Sequence, residues 1–114
     1  MEDFKYRIYN DVYEAMISGT KTIELRLYNE KSSKIKKGNI IKFVVLDNDD
    51  KYLLVKVTNL HRFKSVDELW PLKNKILTTS RELSKEEFIK MLNDIFGALE
   101  VKNHELIGIE FEMI

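Results

Sequence analysis

The stretch Gly19-Thr20-Lys21-Thr22-Ile23-Glu24-Leu25-Arg26 decides the fold, because two elements meet in it. A helical segment begins with the N-cap chemistry of Asn10 and Asp11, runs to about residue 18 and ends at a glycine, the residue that most often closes a helix. Over residues 21–27 apolar and polar side chains then alternate, which predicts a strand with one buried and one available face. The sequence therefore predicts a helix that turns sharply into a half-buried strand.

Other segments of the chain also have the pattern of strands. They are residues 4–9, 40–46, 106–114 and a long stretch that begins at residue 51 and ends between residues 60 and 63. The polar residues 47–50 separate two of these segments and predict a hairpin. The chain is therefore expected to form five or six strands.

Two capping boxes predict two more short helices. Ser65-Val66-Asp67-Glu68 opens the first, which Pro71 should end, and Ser84-Lys85-Glu86-Glu87 opens the second. The second helix carries apolar residues at helical spacing over residues 88–96, which is typical of core packing, whereas residues 72–83 have no firm period and are expected to form a loop. About three short helices among five or six strands predict an α+β domain that curls into a small mixed β-barrel.

Length and composition exclude several classes of protein. The 114 residues fit one compact domain, residues 1–114, and the absence of cysteine excludes disulfide frameworks and thiolate zinc sites. Two histidines are too few for a histidine-only metal site, and we predict no metal and no cofactor. Apolar stretches fall far short of the ~20 residues that span a bilayer, and the first residues lack a secretory pattern, so a cytoplasmic protein without membrane contact is expected.

The charge of the chain is balanced. Lysine plus arginine and aspartate plus glutamate each number 19, which argues against binding to nucleic acid through overall charge. A local basic run is present and consists of Lys31, Lys34, Lys36, Lys37 and Lys42. It is either a surface that follows phosphates or a solvated lysine-rich connection, and the zero net charge favours the connection.

The chain resembles the ASCH domain family, a branch of the PUA-like barrels. The resemblance covers nearly the whole sequence and rests on the stretch from Gly19 to Arg26, on Ile35-Lys36-Lys37-Gly38-Asn39-Ile40-Ile41-Lys42-Phe43 and on the closing Leu106-Ile107-Gly108-Ile109-Glu110-Phe111. It implies a PUA-like β-barrel with a cleft beside the first helix and the strand that follows. It also implies RNA or a nucleotide as the ligand, so that an RNA- or nucleotide-binding protein is the favoured interpretation.

The residues around this cleft are the candidate site. Lys21, Thr22, Glu24, Arg26 and Tyr28 are the predicted ligand-binding residues. A guanidinium offers a planar fork to a phosphate or base edge, a carboxylate accepts from an exocyclic amine, and a tyrosine in phase with them can stack on a base. The competing interpretations are a structural ion pair at the barrel end and a lysine head that reaches into water.

We expect three of these side chains, Lys21, Glu24 and Arg26, to line one concave pocket with the end of the first helix as a wall. On this view Lys21→Ala and Arg26→Ala weaken binding and leave stability nearly unchanged.

A catalytic function is the second hypothesis. Some bacterial relatives hydrolyse the acetyl group of N4-acetylcytidine with a lysine, a threonine and a glutamate. The resemblance matches the family lysine to Lys21. The position of the family threonine is occupied by Glu24 in this chain, and the third residue falls near Arg81 or Glu82. Lys21 and Glu24 are therefore the candidate catalytic residues, but Thr22 would have to replace the missing nucleophile from one strand repeat away, about 6–7 Å. A metal-assisted ribonuclease and a protein-interaction domain are two further hypotheses.

Overall fold

The computed structural model describes residues 2–78 and 82–114, and within them the chain forms an α+β fold. The strands are β1 (Phe4–Ile8), β2 (Ile23–Leu27), β3 (Ile40–Val45), β4 (Asn48–Phe63) and β5 (Leu106–Met113). The α-helices are α1 (Asn10–Ser18), α2 (Val66–Leu69), α3 (Lys73–Ile76), α4 (Lys85–Phe96) and α5 (Ala98–Asn103), and 3₁₀ turns lie at Ser32–Lys34 and Trp70–Leu72. The predicted fold class is confirmed.

All strands belong to one sheet that curls into a half-barrel, in the order β1-β3-β4-β5-β2. β1 pairs with β3 in parallel, and the other neighbours are antiparallel. β4 is 16 residues long, pairs with both β3 and β5, and carries an irregularity between Val57 and Asn59. Bulges of this kind bend a long strand and so help a sheet to curl. The two edge strands, β1 and β2, are consequently the borders of the half-barrel.

Two cores pack against the curled sheet, and the second covers only part of its outer face. Its inner face forms one core around Ile41, Phe43 and Ile109, against which α1 packs Met16. Its outer face forms a second core with the helices α2 to α4. Because side chains alternate across a strand, β2 serves both sides: Ile23 and Leu25 enter the outer core, and Glu24 and Arg26 point to the inner side.

The ends of the helices differ in part from their predicted form. The capping box of Ser84 and Glu87 is confirmed, with both reciprocal hydrogen bonds present at 3.1 and 3.0 Å. The box predicted at Ser65 is wrong, since α2 begins there without a side-chain cap bond. Tyr9, rather than Asn10 or Asp11, is the N-cap residue of α1.

Two helical segments were not expected from the sequence pattern. α3 lies inside residues 72–83, which were expected to form a loop, and α5 follows α4 directly. Both are short, with 4 and 6 residues, too short for a helical period to stand out in the sequence. No helix in the described part of the chain is long and apolar enough to cross a membrane.

Candidate functional site

The turn from α1 into β2 sets the position of Lys21. Gly19 adopts a left-handed conformation (φ 83°) that ends the helix, and its N–H donates to the carbonyl of Met16 at 3.2 Å. The backbone N–H of Lys21 then donates to Ala15 O at 3.0 Å, which holds the reversed chain against the helix. The side chain of Lys21 therefore begins inside the protein, where it is 4% exposed.

The ammonium of Lys21 is fully bonded. Nζ donates to the carbonyl oxygen of Ile23 at 2.8 Å and to that of Ile76, and it lies 3.2 Å from Glu24 Oε1. An ammonium group has three hydrogens, and these three acceptors use all of them. The interpretation in which the lysine head reaches into water is therefore wrong.

Glu24 is buried between two cations. Its carboxylate oxygens lie 3.2 Å from Lys21 Nζ and 2.8 Å from a terminal nitrogen of Arg26, and the residue is 7% exposed. The polar face of β2 was expected to be available, but at this position the pairing with both cations leaves only 9% of the side chain exposed, toward a pocket. Burial raises the pKa of Glu24, and the Lys21 and Arg26 charges outweigh this effect, so that the net result is a lowered pKa.

The pKa of Lys21 is also shifted. Burial lowers the pKa of its ammonium, and the neighbouring carboxylate of Glu24 opposes part of that shift. Because three acceptors surround Nζ, the geometry favours the charged form over a free amine. Lys21 is thus built to hold the carboxylate rather than to exchange protons with solvent.

Arg26 is the partly exposed member of the group. Its side chain is 26% exposed, and one terminal nitrogen donates both to Glu24 at 2.8 Å and to Arg7 O in β1 at 3.0 Å. The guanidinium lies 4.7 Å from the centre of the Tyr6 ring. Among the described residues its Nε and its other terminal nitrogen have no hydrogen-bond partner. Arg26 therefore links the two edge strands and keeps donors free.

A pocket of about 530 Å³ opens over this group, and Lys21, Glu24 and Arg26 all line it. Its helical wall from α1 is the first turn, with Asp11 and Val12, and not the end of that helix as the sequence suggested. We call this cavity the central pocket. Further lining residues come from the end of β1, from residues 76–78 and from α4. The opposite wall is an apolar face of α4, formed by Met91, Leu92, Ile95 and Phe96.

Two predicted site residues lie outside the central pocket. Thr22 precedes β2. Its backbone N–H donates to Lys75 O at 2.9 Å, and its carbonyl oxygen accepts from the N–H of Phe111 at 3.3 Å. Tyr28 follows β2, and its ring lies 3.8 Å from the guanidinium of Arg62. Neither residue lines the central pocket, so Thr22 is not placed to serve there as a nucleophile.

The candidates for the third catalytic residue add nothing to the central pocket. Glu82 is exposed and does not line it, and Arg81 lies outside the described residues. Within residues 2–78 and 82–114, no group of three or more histidine or acidic side chains is arranged to hold a metal ion.

The rim of the central pocket contains residues that the sequence pattern did not reveal. Tyr9 is 65% exposed and Ile95 is 59% exposed, and both line the opening together with Leu46. Ile95 was expected to lie in the core with the rest of the apolar face of α4. Its exposure beside a charged floor is typical of a binding cavity, which combines apolar walls with a few polar groups.

Solved structures supply the fold relationship, whereas no protein-family model and no curated protein matches the chain. The hypothetical protein PH0355 is 28% identical over the full length of both chains, with a TM-score of 0.81. The protein PF0455 from Pyrococcus furiosus is 26% identical over 100% of this chain and 98% of its own, with a TM-score of 0.71. ASCH from Zymomonas mobilis is 14% identical over 95% of this chain and 65% of its own, with a TM-score of 0.66.

The chain has the fold of an ASCH domain. The expected PUA-like architecture is therefore confirmed. In this ASCH fold the central pocket lies beside β2 and α1, the two elements that meet in the stretch from Gly19 to Arg26.

Proposed function

We propose that the central pocket binds one nucleobase, carried by RNA or by a free nucleoside or nucleotide. The observation that carries the proposal is the ion-paired group of buried Lys21, buried Glu24 and partly exposed Arg26 at the floor of a pocket of about 530 Å³ with an apolar wall. This volume lies within the range of small-molecule sites, roughly 300–1,000 Å³. The resemblance to ASCH domains supports the same class of ligand.

Arg26 and Glu24 offer complementary groups to a base edge. The free nitrogens of Arg26 can donate to a ring nitrogen or carbonyl of the base. Each carboxylate oxygen of Glu24 has a cation on one side and keeps acceptor capacity for an exocyclic amine. Lys21 has no donor left for the ligand and acts as a positioning residue that holds Glu24 in place. Arg26 and Glu24 should therefore prefer a base with an amine next to an acceptor, such as cytosine or adenine.

The charges around the central pocket favour a base over a bare polyphosphate. Lys21, Arg26 and Arg7 contribute cations, and Glu24 and Asp11 contribute carboxylates. Arg7 is in addition paired with an aspartate of β4 at 2.9 Å. The floor is therefore close to electrically balanced, which suits a neutral planar group that also packs on the apolar wall.

Tyr9 is expected to stack on the bound base. Tyr9→Ala should weaken the binding of cytidine about fivefold to 150-fold, because stacking of a base on an aromatic ring contributes about 1–3 kcal/mol. Tyr9→Phe keeps the ring and should bind like the wild type. Isothermal titration calorimetry measures the affinity of both variants and of the wild type for cytidine.

The matched control is Tyr52→Ala, which removes an aromatic ring that is 45% exposed and lies outside the central pocket. It should leave the affinity for cytidine unchanged. Equal affinities for Tyr9→Ala and the wild type would contradict the stacking role, and absence of cytidine binding by the wild-type protein would contradict the proposed function itself.

A further inference from the structure

The two border strands of the half-barrel meet without pairing. β1 and β2 stand at opposite ends of the strand order, and among the described residues no main-chain hydrogen bond joins them. Two cationic side chains bridge them instead. Arg26 of β2 donates to Arg7 O at 3.0 Å, and Lys31, from the segment after β2, donates from Nζ to Lys5 O at 2.6 Å. We call this junction between β1 and the two cations the seam.

The seam uses the main-chain carbonyls that β1 does not offer to β3. Successive residues of a strand direct their main-chain groups to opposite edges. Ile8 O accepts from the N–H of Leu46, at the end of β3, at 2.9 Å. Ile8 and Tyr6 therefore face β3, whereas Arg7 and Lys5 face β2. The two cations stand where a strand ladder would close a complete barrel, and each bond depends on one flexible side chain.

The ring of Tyr6 contacts both cations of the seam. Lys31 Nζ lies 3.9 Å and the guanidinium carbon of Arg26 lies 4.7 Å from the ring centre, within the range of cation–π attraction. Two features oppose this attraction. The Tyr6 hydroxyl is buried without a hydrogen-bond partner in the described part of the chain, which is unfavourable. Burial and the charge of Arg26 lower the pKa of Lys31. The seam is therefore a weaker closure than the ladders of the sheet.

The central pocket lies across the seam. β1 and the start of α1 contribute Arg7, Tyr9 and Asp11 to its lining, and β2 contributes Glu24 and Arg26. Arg26 belongs to both features, because the terminal nitrogen that donates to Arg7 O also donates to Glu24 at 2.8 Å. Detachment of β1 would thus remove part of the pocket lining, and a group bound to Arg26 would fix the cation that holds β1.

We infer that the seam is a clamp: β1 detaches locally in the empty protein, and a ligand in the central pocket holds it closed through Arg26. The coupling rests on the proposed function, whereas local detachment is a property of the chain alone. Elements that move on ligand binding come from the least stable part of a fold. Because the open form lacks part of the binding site, the ligand favours the closed form by its difference in affinity for the two.

Hydrogen exchange of backbone amides, followed by NMR, measures the opening. The amide of Tyr6 reports on β1, because it lies in the ladder with β3 and Tyr6 does not line the central pocket. Val57, whose N–H donates to Asn39 O at 2.9 Å, reports on the middle of the sheet. Without ligand, the Tyr6 amide should be at least about tenfold less protected than that of Val57. Cytidine at about ten times its Kd should slow exchange at Tyr6 about tenfold, because an opening that abolishes binding is suppressed in that proportion.

Two lysine variants show whether the bonds of the seam control the opening. Lys31→Met keeps an aliphatic chain beside the Tyr6 ring but removes the donor to Lys5 O, so the Tyr6 amide should exchange about tenfold faster. Lys34→Met is the matched control, since its side chain is 67% exposed and its ion-pair partner Glu30 is 3.8 Å away. It should leave exchange at Tyr6 unchanged. Thermal unfolding checks that both variants are folded.

The outcomes separate this inference from the function on which the coupling rests. Equal protection of Tyr6 and Val57 in the empty protein, or equal exchange at Tyr6 in the wild type and Lys31→Met, would overturn the clamp and leave the nucleobase pocket standing. Exchange at Tyr6 that bound cytidine does not slow would overturn the coupling. Failure of cytidine to bind would overturn the proposed function and the coupling with it, and local detachment would then be decided by the lysine variants.

Discussion

Replacing Lys21 with methionine is expected to lower the free energy of unfolding by about 3 kcal/mol. The variant leaves the buried carboxylate of Glu24 with one cation instead of two, and it removes the donor that serves the carbonyls of Ile23 and Ile76. Removal of one partner from a buried ion pair typically costs about 3–5 kcal/mol, and Arg26 keeps the value at the lower end. Urea unfolding followed by circular dichroism measures the difference. We therefore no longer expect, as the sequence suggested, that Lys21 can be substituted with almost no loss of stability.

A double variant shows whether this loss comes from the ion pair. Lys21→Met/Glu24→Gln removes both charges, so it should lose less stability than the sum of the two single substitutions. Lys75→Met is the matched control, because its side chain is 56% exposed and its nearest carboxylate is 4.0 Å away. A Lys21→Met variant as stable as Lys75→Met would contradict the role of Lys21 as the buried partner of Glu24.

Replacing Glu24 with glutamine is expected to cost a similar amount at neutral pH, about 3 kcal/mol, with a loss that depends on pH. In the folded protein the pKa of Glu24 is lowered, since the charges of Lys21 and Arg26 outweigh the effect of burial. The carboxylate therefore contributes stability that is fully present above its unfolded pKa of about 4.3 and is lost as the pH falls through the lower folded pKa.

The difference between wild type and Glu24→Gln should accordingly be largest near neutral pH and shrink as the pH is lowered below about 4. Urea unfolding at a series of pH values measures it. Glu112→Gln, at an exposed position of β5, is the control for the amide substitution itself. A difference that stays constant from neutral to acid pH would show that Glu24 acts through packing and not through its charge.

The sequence pattern predicted the strand β2 but not which of its residues share a surface. Strict alternation assigned Thr22, Glu24, Arg26 and Tyr28 to one face. The strand extends over Ile23–Leu27, so Thr22 and Tyr28 lie beyond its ends, where the period of two no longer applies. The two inner members of the predicted face, Glu24 and Arg26, are the ones that reach the central pocket.

The burial of Lys21 could not be predicted from neighbouring residues. One of its acceptors is the carbonyl of Ile76, 55 residues away in the sequence and at the end of α3. That helix has 4 residues and no visible period. Likewise Lys31 meets the carbonyl of Lys5 through the curl of the sheet, a long-range contact that the basic run in the sequence does not contain. Local patterns specified the elements, and tertiary pairing specified the site.

The most direct test of the nucleobase pocket is a comparison of cytidine with uridine by two-dimensional NMR of the ¹⁵N-labelled protein. Cytidine carries at C4 the exocyclic amine that is proposed to donate a hydrogen bond to Glu24, and uridine carries a carbonyl there. With cytidine, we expect saturable shifts of the backbone amides of Tyr9, Glu24, Arg26 and Leu77, all of which line the central pocket. Uridine should bind about tenfold more weakly, because its carbonyl would face the carboxylate. Equal affinity for both nucleosides, or shifts confined to residues outside the central pocket, would contradict the proposed binding of a base by Glu24 and Arg26.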